Sequence, residues 1–306
     1  MRASLTAIAA ELKRLKALGV KTLPVSDASL QQLRAAVGRR TQAGPAGPTT
    51  APAAAAAAPA PKAYETPART YAAKPVETGA APIPEPQPFT LPEGDKATRW
   101  AALKAHVTSD PVCRAHVRPG KQVVLGVGSL DARIMFVGEA PGAEEEVQGE
   151  PFVGPAGQLL TRMIGAMGLQ RADVYIGNIM NWRPEMPLDA CGVQFGNRPP
   201  TEQELHYCLP YLKAQIEVVN PELLVALGST AASGLLGFGT FKALGEVRGR
   251  WKEFAGKPLM VTYHPSYILR NQSNRSKRMI WEDLLKVMER AALPVSDKQR
   301  GFFLDR

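Results

Sequence analysis

The chain has 306 residues, 45% of them hydrophobic, and a formal net charge of +9. That length suits one large domain or two ordinary ones with a sizeable core. Three cysteines (Cys113, Cys191 and Cys208) do not suggest a secreted disulfide scaffold, no apolar run approaches a membrane span, and the charge-studded N-terminal stretch does not read as a signal peptide. The expectation is a cytoplasmic protein. Its basic surplus suggests a polyanionic partner, although many basic proteins bind none.

Residues 3–18 place Leu5, Ile8, Leu12 and Leu15 at helical spacing, and Gly19 ends the run. A second helix is expected over about 27–39, with Asp27 or Ser29 as its cap. This 1–40 helical segment is read as a docking or solubility element without chemistry, one that could reach an unidentified partner protein. Residues 41–92 are dominated by Ala, Pro, Gly and Thr. They offer few large side chains to bury, so a disordered or polyproline-like linker is expected.

From about residue 93 strands and helices alternate. "ARIMFVG" (132–138) reads as a strand ending at the Gly-rich turn "GEAPGAEEEVQGEPFVGPAG", and 156–169 as a helix. Strands follow at 173–182, 222–228 and 258–266. Helices are expected at 201–220, where Thr201 and Glu204 form a capping-box pattern, and at 276–293. The pattern predicts a three-layer α/β/α domain over 93–293 around a central, mostly parallel four-stranded sheet, with a tail at 294–306. Sites in such sheets form at the carboxyl ends of strands. That rule gathers Gly138–Gly142, Asn178, Gly228 and His264.

The ordered series "GEAPG", "G-x-PFVG-x-AG-x-LL", a strand-ending Asn, "GNRPPTEQE…C", "ALG" and "YHPS…R…WEDL" resembles the uracil-DNA glycosylase superfamily, above all its iron–sulfur branch, family 4. The resemblance covers about residues 97–292. It implies an enzyme that flips uracil out of single- or double-stranded DNA and hydrolyses the N-glycosidic bond, leaving an abasic site.

The residues then take roles that their chemistry supports. Phe152 matches the ring that stacks on the flipped base, and Gly138 and Ala140 lie on the base-binding loop. Asn178 matches the amide that reads uracil, offering a donor and an acceptor together. His264 matches the histidine that stabilises the anion on O2 of the departing base. Glu139 is the acid expected to orient water or stabilise the cationic sugar, with Glu145 a second candidate whose role the sequence does not rank. Another branch places an aromatic at the position of Gly142 to exclude the thymine methyl. Glycine cannot do that, so thymine rejection would rest on Glu145 or its loop, leaving room for deaminated or damaged bases. "HPSYILRNQSNRSKR" (264–278) resembles the loop that enters DNA. Ser266, Ser273, Arg270, Arg275, Lys277 and Arg278 are expected on phosphates, and Tyr267, Ile268 or Leu269 as a wedge.

The cluster motif is incomplete. Its four positions fall on Cys113, His116, Trp182 and Cys208, and tryptophan cannot ligate iron. The cluster is read as lost, with Trp182 filling space. The alternative is that Cys191, carried in the insertion "EMPLDACGVQ", restores a Cys113/His116/Cys191/Cys208 set for iron–sulfur or zinc. The insertion holds no histidine and no basic cluster, so covalent trapping of the product is not expected. Lys242, Lys252 and Lys257 lie outside the motifs, so neither is a lyase step. Uracil-containing DNA is the expected partner, no membrane is involved and a monomer is expected. The alternative to an enzyme is a non-catalytic DNA-binding member of the fold.

Overall fold

The computed structural model describes residues 83–189 and 192–304. The 1–40 helical segment, most of the linker and Cys191 lie outside the described residues. In chain order the elements are α1 (Lys96–Ser109), α2 (Pro111–Ala115), β1 (Val127–Gly128), β2 (Ile134–Gly138), α3 (Glu145–Gln148), α4 (Pro155–Ala166), β3 (Tyr175–Asn178), α5 (Glu202–Val219), β4 (Leu223–Leu227), α6 (Ser229–Leu236), β5 (Trp251–Phe254), β6 (Lys257–Thr262), α7 (Pro265–Arg270), α8 (Asn274–Arg290) and α9 (Asp297–Arg300).

The sheet order is β1-β3-β2-β4-β6-β5. The four expected strands, β3, β2, β4 and β6, are parallel, and short antiparallel strands β1 and β5 close the two edges. The sheet therefore has six strands where the sequence suggested four. β1 spans two residues and β5 is a half-exposed "WKEF", too short and too polar to announce themselves by apolar pattern. The inner strands β2 and β4 read "IMFVG" and "LLVAL" and are buried along their whole length, as parallel strands covered on both faces require.

Their side chains alternate between two cores. Met135, Val137, Leu224, Ala226, Leu259 and Val261 face one cluster, with α1, α5 and α6. Ile134, Phe136, Leu223, Val225 and Met260 face the other, with α4 and α8. The capping box at Thr201 and Glu204 is formed and opens α5 as the sequence suggested.

Both ends of the domain reach beyond the sequence boundaries. Ile83, Phe89 and Leu91 pack on the first core, and the Phe89 ring stacks on His106 at 4.2 Å. The last ten residues assigned to the linker are thus packed chain, because three well-spaced apolar residues suffice to anchor it. At the other end Trp281 Nε1 donates to the Gln299 carbonyl (2.6 Å), and Phe302 packs against the second core. Among the described residues no helix is long and apolar enough to cross a membrane.

Candidate active site

The parallel register pairs Gly138 with Asn178, so the last residues of β2 and β3 lie side by side at the carboxyl edge of the sheet. Phe152 arrives from the Gly-rich segment and lies over them. A Cβ on Gly138 would sit 2.4 Å from Asn178 Oδ1 and 2.5 Å from Phe152 Cζ. Only glycine leaves room for the amide and the ring at this spot. Phe152 has φ +56°, a left-handed conformation that a bulky residue adopts only under constraint. Its backbone rests on the first turn of α4, where a Cβ on Gly157 would fall 1.7 Å from the Phe152 carbonyl oxygen. Glu145 Oε1 accepts from the backbone N–H groups of Val153 and Gly154 (both 3.0 Å), and Arg171 donates to the Pro151 carbonyl (2.6 Å). The strained ring is thus held from both sides.

Asn178 is buried, and its Oδ1 has no hydrogen-bond partner in the protein. A buried polar atom left unmatched costs about 1–3 kcal/mol, which a ligand donor would recover. His264 caps the N-terminus of α7. Its Nδ1 lies 2.9 Å from Ser266 Oγ and accepts from the Ser266 N–H (3.2 Å). An Nδ1 that accepts leaves the proton on Nε2, making that atom a donor. Burial, with Arg270 nearby, lowers the His264 pKa to about 4, so the ring is neutral at neutral pH. The His264 and Phe152 rings are 5.6 Å apart and tilted by 31°. A Cβ on Gly228 would approach His264 Cβ to 3.0 Å. The ends of β2, β3, β4 and β6 therefore converge on one place.

Glu139 follows β2 directly. Burial raises its pKa above the ordinary carboxylate value, and the Thr230 hydroxyl in the first turn of α6 offsets part of that shift. Ala140 is partly buried against the first core. Glu145 is engaged elsewhere: with Oε1 on the backbone beside Phe152, its Oε2 fills the space next to Gly142, 2.7 Å from where a Cβ would stand. The Asn197 amide also borders Gly142, its Nδ2 3.7 Å from the same point, and its oxygen accepts from Arg183 Nε (2.8 Å).

The 264–278 stretch is helical rather than a loop: α7, three linking residues, and the first turn of α8, capped by Ser273 accepting from the Ser276 N–H (3.1 Å). Pro265 at the first helical position and Ser273 as cap are the signals that mark it. Ile268 is buried (7% exposed), Tyr267 stacks on Tyr263 at 4.4 Å, and Leu269 is exposed at 38%. Arg270 and Arg275 are exposed, and Lys277 lines an apolar groove with Leu269 and Phe303. Arg278 donates to Glu282 Oε1 and to the carbonyls of Arg300 and Phe302 (2.7–2.9 Å).

A family model described as the uracil DNA glycosylase superfamily matches residues 125–285, more than half of the chain and the whole of this constellation. The chain belongs to the uracil DNA glycosylase superfamily. Within it, similarity runs to the type-4 branch. A type-4 uracil-DNA glycosylase of Thermotoga maritima is 46% identical over 165 residues, covering 54% of this chain and 80% of that protein. One of Saccharolobus solfataricus is 41% identical over 176 residues, 55% of this chain and 76% of the relative. A type-5 enzyme of Pyrobaculum aerophilum matches at 31% over 185 residues, 54% of this chain and 73% of its own.

The cluster positions of this glycosylase-family member are occupied by packing. Trp182 is fully buried, the His116 ring stacks on it at 5.0 Å and 11°, and its Nε1 has no partner. Cys113 and Cys208 are buried free thiols that interact with each other; that contact and burial push the Cys113 thiol far up, away from the thiolate that iron needs. Beside them the Asp110 carboxylate accepts from Tyr207 and Tyr211 hydroxyls (2.8 and 3.0 Å) and from the Cys113 N–H (2.7 Å). Among the described residues no group of three His, Cys, Asp or Glu is placed to hold a metal ion. Among the described residues, two thiols and a stacked Trp–His pair do not supply the four ligands of a cluster.

Several contributors escaped the sequence reading. Gly157 sat inside a quoted motif without a role, because close approach of backbone is invisible without the fold. Ser266 was assigned to phosphate, yet its N–H and hydroxyl lie on His264. Thr230 and Asn197 had no signal beyond polar residues near motif glycines.

Proposed function

We propose that this chain is a monofunctional uracil-DNA glycosylase of base excision repair, acting by hydrolysis. The observation that carries the reading is the unpartnered, buried Asn178 Oδ1, which shares the space at Gly138 with the Phe152 ring, itself 5.6 Å from the His264 ring. A flipped uracil stacked on Phe152 gives its N3–H to Oδ1, and the amide N–H group gives a hydrogen bond to O4. His264 Nε2–H donates to O2, where charge gathers as the C1′–N1 bond breaks and its electron pair leaves with the base. A neutral donor placed in advance stabilises that anion without reorganisation, an effect that can supply several kcal/mol.

Glu139 is the acid at the sugar. Its carboxylate opposes the cationic C1′ and accepts a proton from the water that adds there. Glu145 has its oxygens committed to the Phe152 segment and to the space beside Gly142. It therefore serves as a positioning residue and as the barrier to a 5-methyl group. Since that barrier is a carboxylate rather than a ring, tolerance extends to other small deaminated or damaged bases. Leu269, exposed at the tip of α7, is the wedge, with Arg270, Arg275 and Lys277 toward the phosphates. Arg278, held on the C-terminal segment, contributes packing. No step in this reading uses a metal or a lysine.

The test is abasic-site formation on uracil-containing single- and double-stranded oligonucleotides, with thymine, hypoxanthine and 5-substituted uracils alongside. Binding to uracil DNA without any cleavage would favour a non-catalytic member of the fold. The competent geometry of Asn178, Phe152, His264 and Glu139 argues against that reading.

A further inference from the structure

The insertion after β3 has no place in the chemistry above, yet it is built with care. Gln194 is buried; its Nε2 donates to the Pro184 carbonyl (3.0 Å) and its Oε1 accepts from the Met186 N–H (3.2 Å). Arg118 donates to the Met186 carbonyl and Arg198 Nε to the Glu185 carbonyl (both 2.8 Å). Asp189 and Val193 are paired through backbone and side chain (2.9 and 2.7 Å). This scaffold leaves apolar side chains in solvent: Leu188 at 50%, Val193 at 49% and Phe195 at 70% exposed. Phe195 is the most exposed of the large hydrophobic residues described. A scaffold that spends hydrogen bonds to hold an aromatic ring in water implies a partner for the ring.

Placement says which partner. Two residues on, Asn197 lies beside Gly142 in the base-binding loop, and Arg183 ties the Gly196 carbonyl, Asn197 and Glu146 together (2.7, 2.8 and 2.9 Å). Phe195 is therefore an exposed ring two residues from a side chain that borders the base-binding loop. β3, which feeds the insertion, and β6, which feeds α7 and Leu269, are the two outer members of the parallel set, with β2 and β4 between them. A strand of DNA crossing the pocket mouth along the carboxyl edge would meet Leu269 on one side of the flipped base and Phe195 on the other. A base left unpaired or half-stacked there presents a π-face of matching chemistry, and base–aromatic stacking tolerates any sequence.

We propose that Phe195 is a second DNA-contacting residue, a platform on which an unpaired nucleobase next to the flipped uracil stacks. It rests on the uracil-DNA reading above. It also makes single-stranded DNA the favoured substrate, since a paired neighbour has no free face to offer.

The experiment uses the full chain and single-stranded oligonucleotides carrying 2′-fluoro-2′-deoxyuridine, which resists cleavage, flanked on either side by 2-aminopurine. Phe195→Ala is expected to weaken binding about tenfold and to leave the 2-aminopurine on one side brighter in the complex than wild type does. Phe195→Trp is expected to restore both affinity and quenching. On cleavable single strands Phe195→Ala should raise KM with kcat little changed, and the effect should shrink on duplex. Equal affinity and equal fluorescence across all three proteins would overturn the proposal and leave the patch to a protein partner. If wild type bound and quenched but never cut uracil DNA, the glycosylase reading would fail while the platform stood.

Discussion

Gly138→Ala is the sharpest perturbation of the pocket. The new methyl would lie 2.4 Å from Asn178 Oδ1 and 2.5 Å from Phe152 Cζ. An ordinary contact needs about 3.4 Å or more, so the amide and the ring must each retreat by about 1 Å. Neither has an easy path. Phe152 is buried, and its backbone is clamped between Glu145 and Gly157; Asn178 ends a strand in register with Gly138. Overpacking of this kind costs about 1–3 kcal/mol of stability, or about 2–4 °C of Tm for each kcal/mol in a domain of this size. The effect on chemistry is larger, because a 1 Å misplacement of a substrate-positioning group costs about 10²-fold. Steady-state cleavage of a uracil oligonucleotide is therefore expected to lose about two orders of magnitude in kcat/KM, and melting should show the protein still folded at the assay temperature. Gly165→Ala is the control. It sits near the end of α4 with nothing within 4 Å of the added methyl, and should cut at the wild-type rate. Wild-type activity in Gly138→Ala would refute the placement of the base between Asn178 and Phe152.

Other outcomes follow from the same geometry. His264→Ala and Asn178→Ala should each lower kcat by about 10²–10³-fold, the loss typical of one preorganised donor, with thermal denaturation showing intact folds. Glu139 has a raised pKa and His264 a pKa of about 4, so acidification first protonates the glutamate. The acid limb of kcat/KM should therefore lie above the ordinary carboxylate range, and Glu139→Gln should leave a lower rate that stays flat until the histidine titrates. A limb unmoved in that variant would reassign it. Leu269→Ala should raise KM on duplex more than on single strands, because only the duplex needs its gap filled; equal effects would remove the wedge. Trp182→Ala should cost about 3–5 kcal/mol, as for a fully buried aromatic, and the wild-type protein is expected to show no visible iron–sulfur absorption and to keep its melting temperature in chelator. A brown protein would instead place a cluster on residues that include Cys191.

How much was legible in advance differs by element. The buried strands β2 and β4 and the helices α4, α5 and α8 were readable because apolar period and caps are local properties. β1 and β5 were not, since two-residue and half-exposed edge strands exist only by pairing with a neighbour already in place. The family motifs named Phe152, Asn178, His264 and Glu139 together, but could not divide labour between Glu139 and Glu145. The proposed division rests on the backbone N–H groups that Glu145 meets eight and nine residues later.

The sequence by itself determined the layer architecture, the residue types available at the strand ends and the presence of His116 and Trp182 where the family pattern has cysteines, because each depends on residue type and order. Only the tertiary structure decided that Trp182 and His116 stack in that space, that Ser266 lies on the His264 ring nitrogen, that Leu269 and not Ile268 meets solvent, and that Phe195 is exposed two residues from the Asn197 amide beside Gly142. Those depend on distances between segments far apart in the chain, which a linear pattern does not encode.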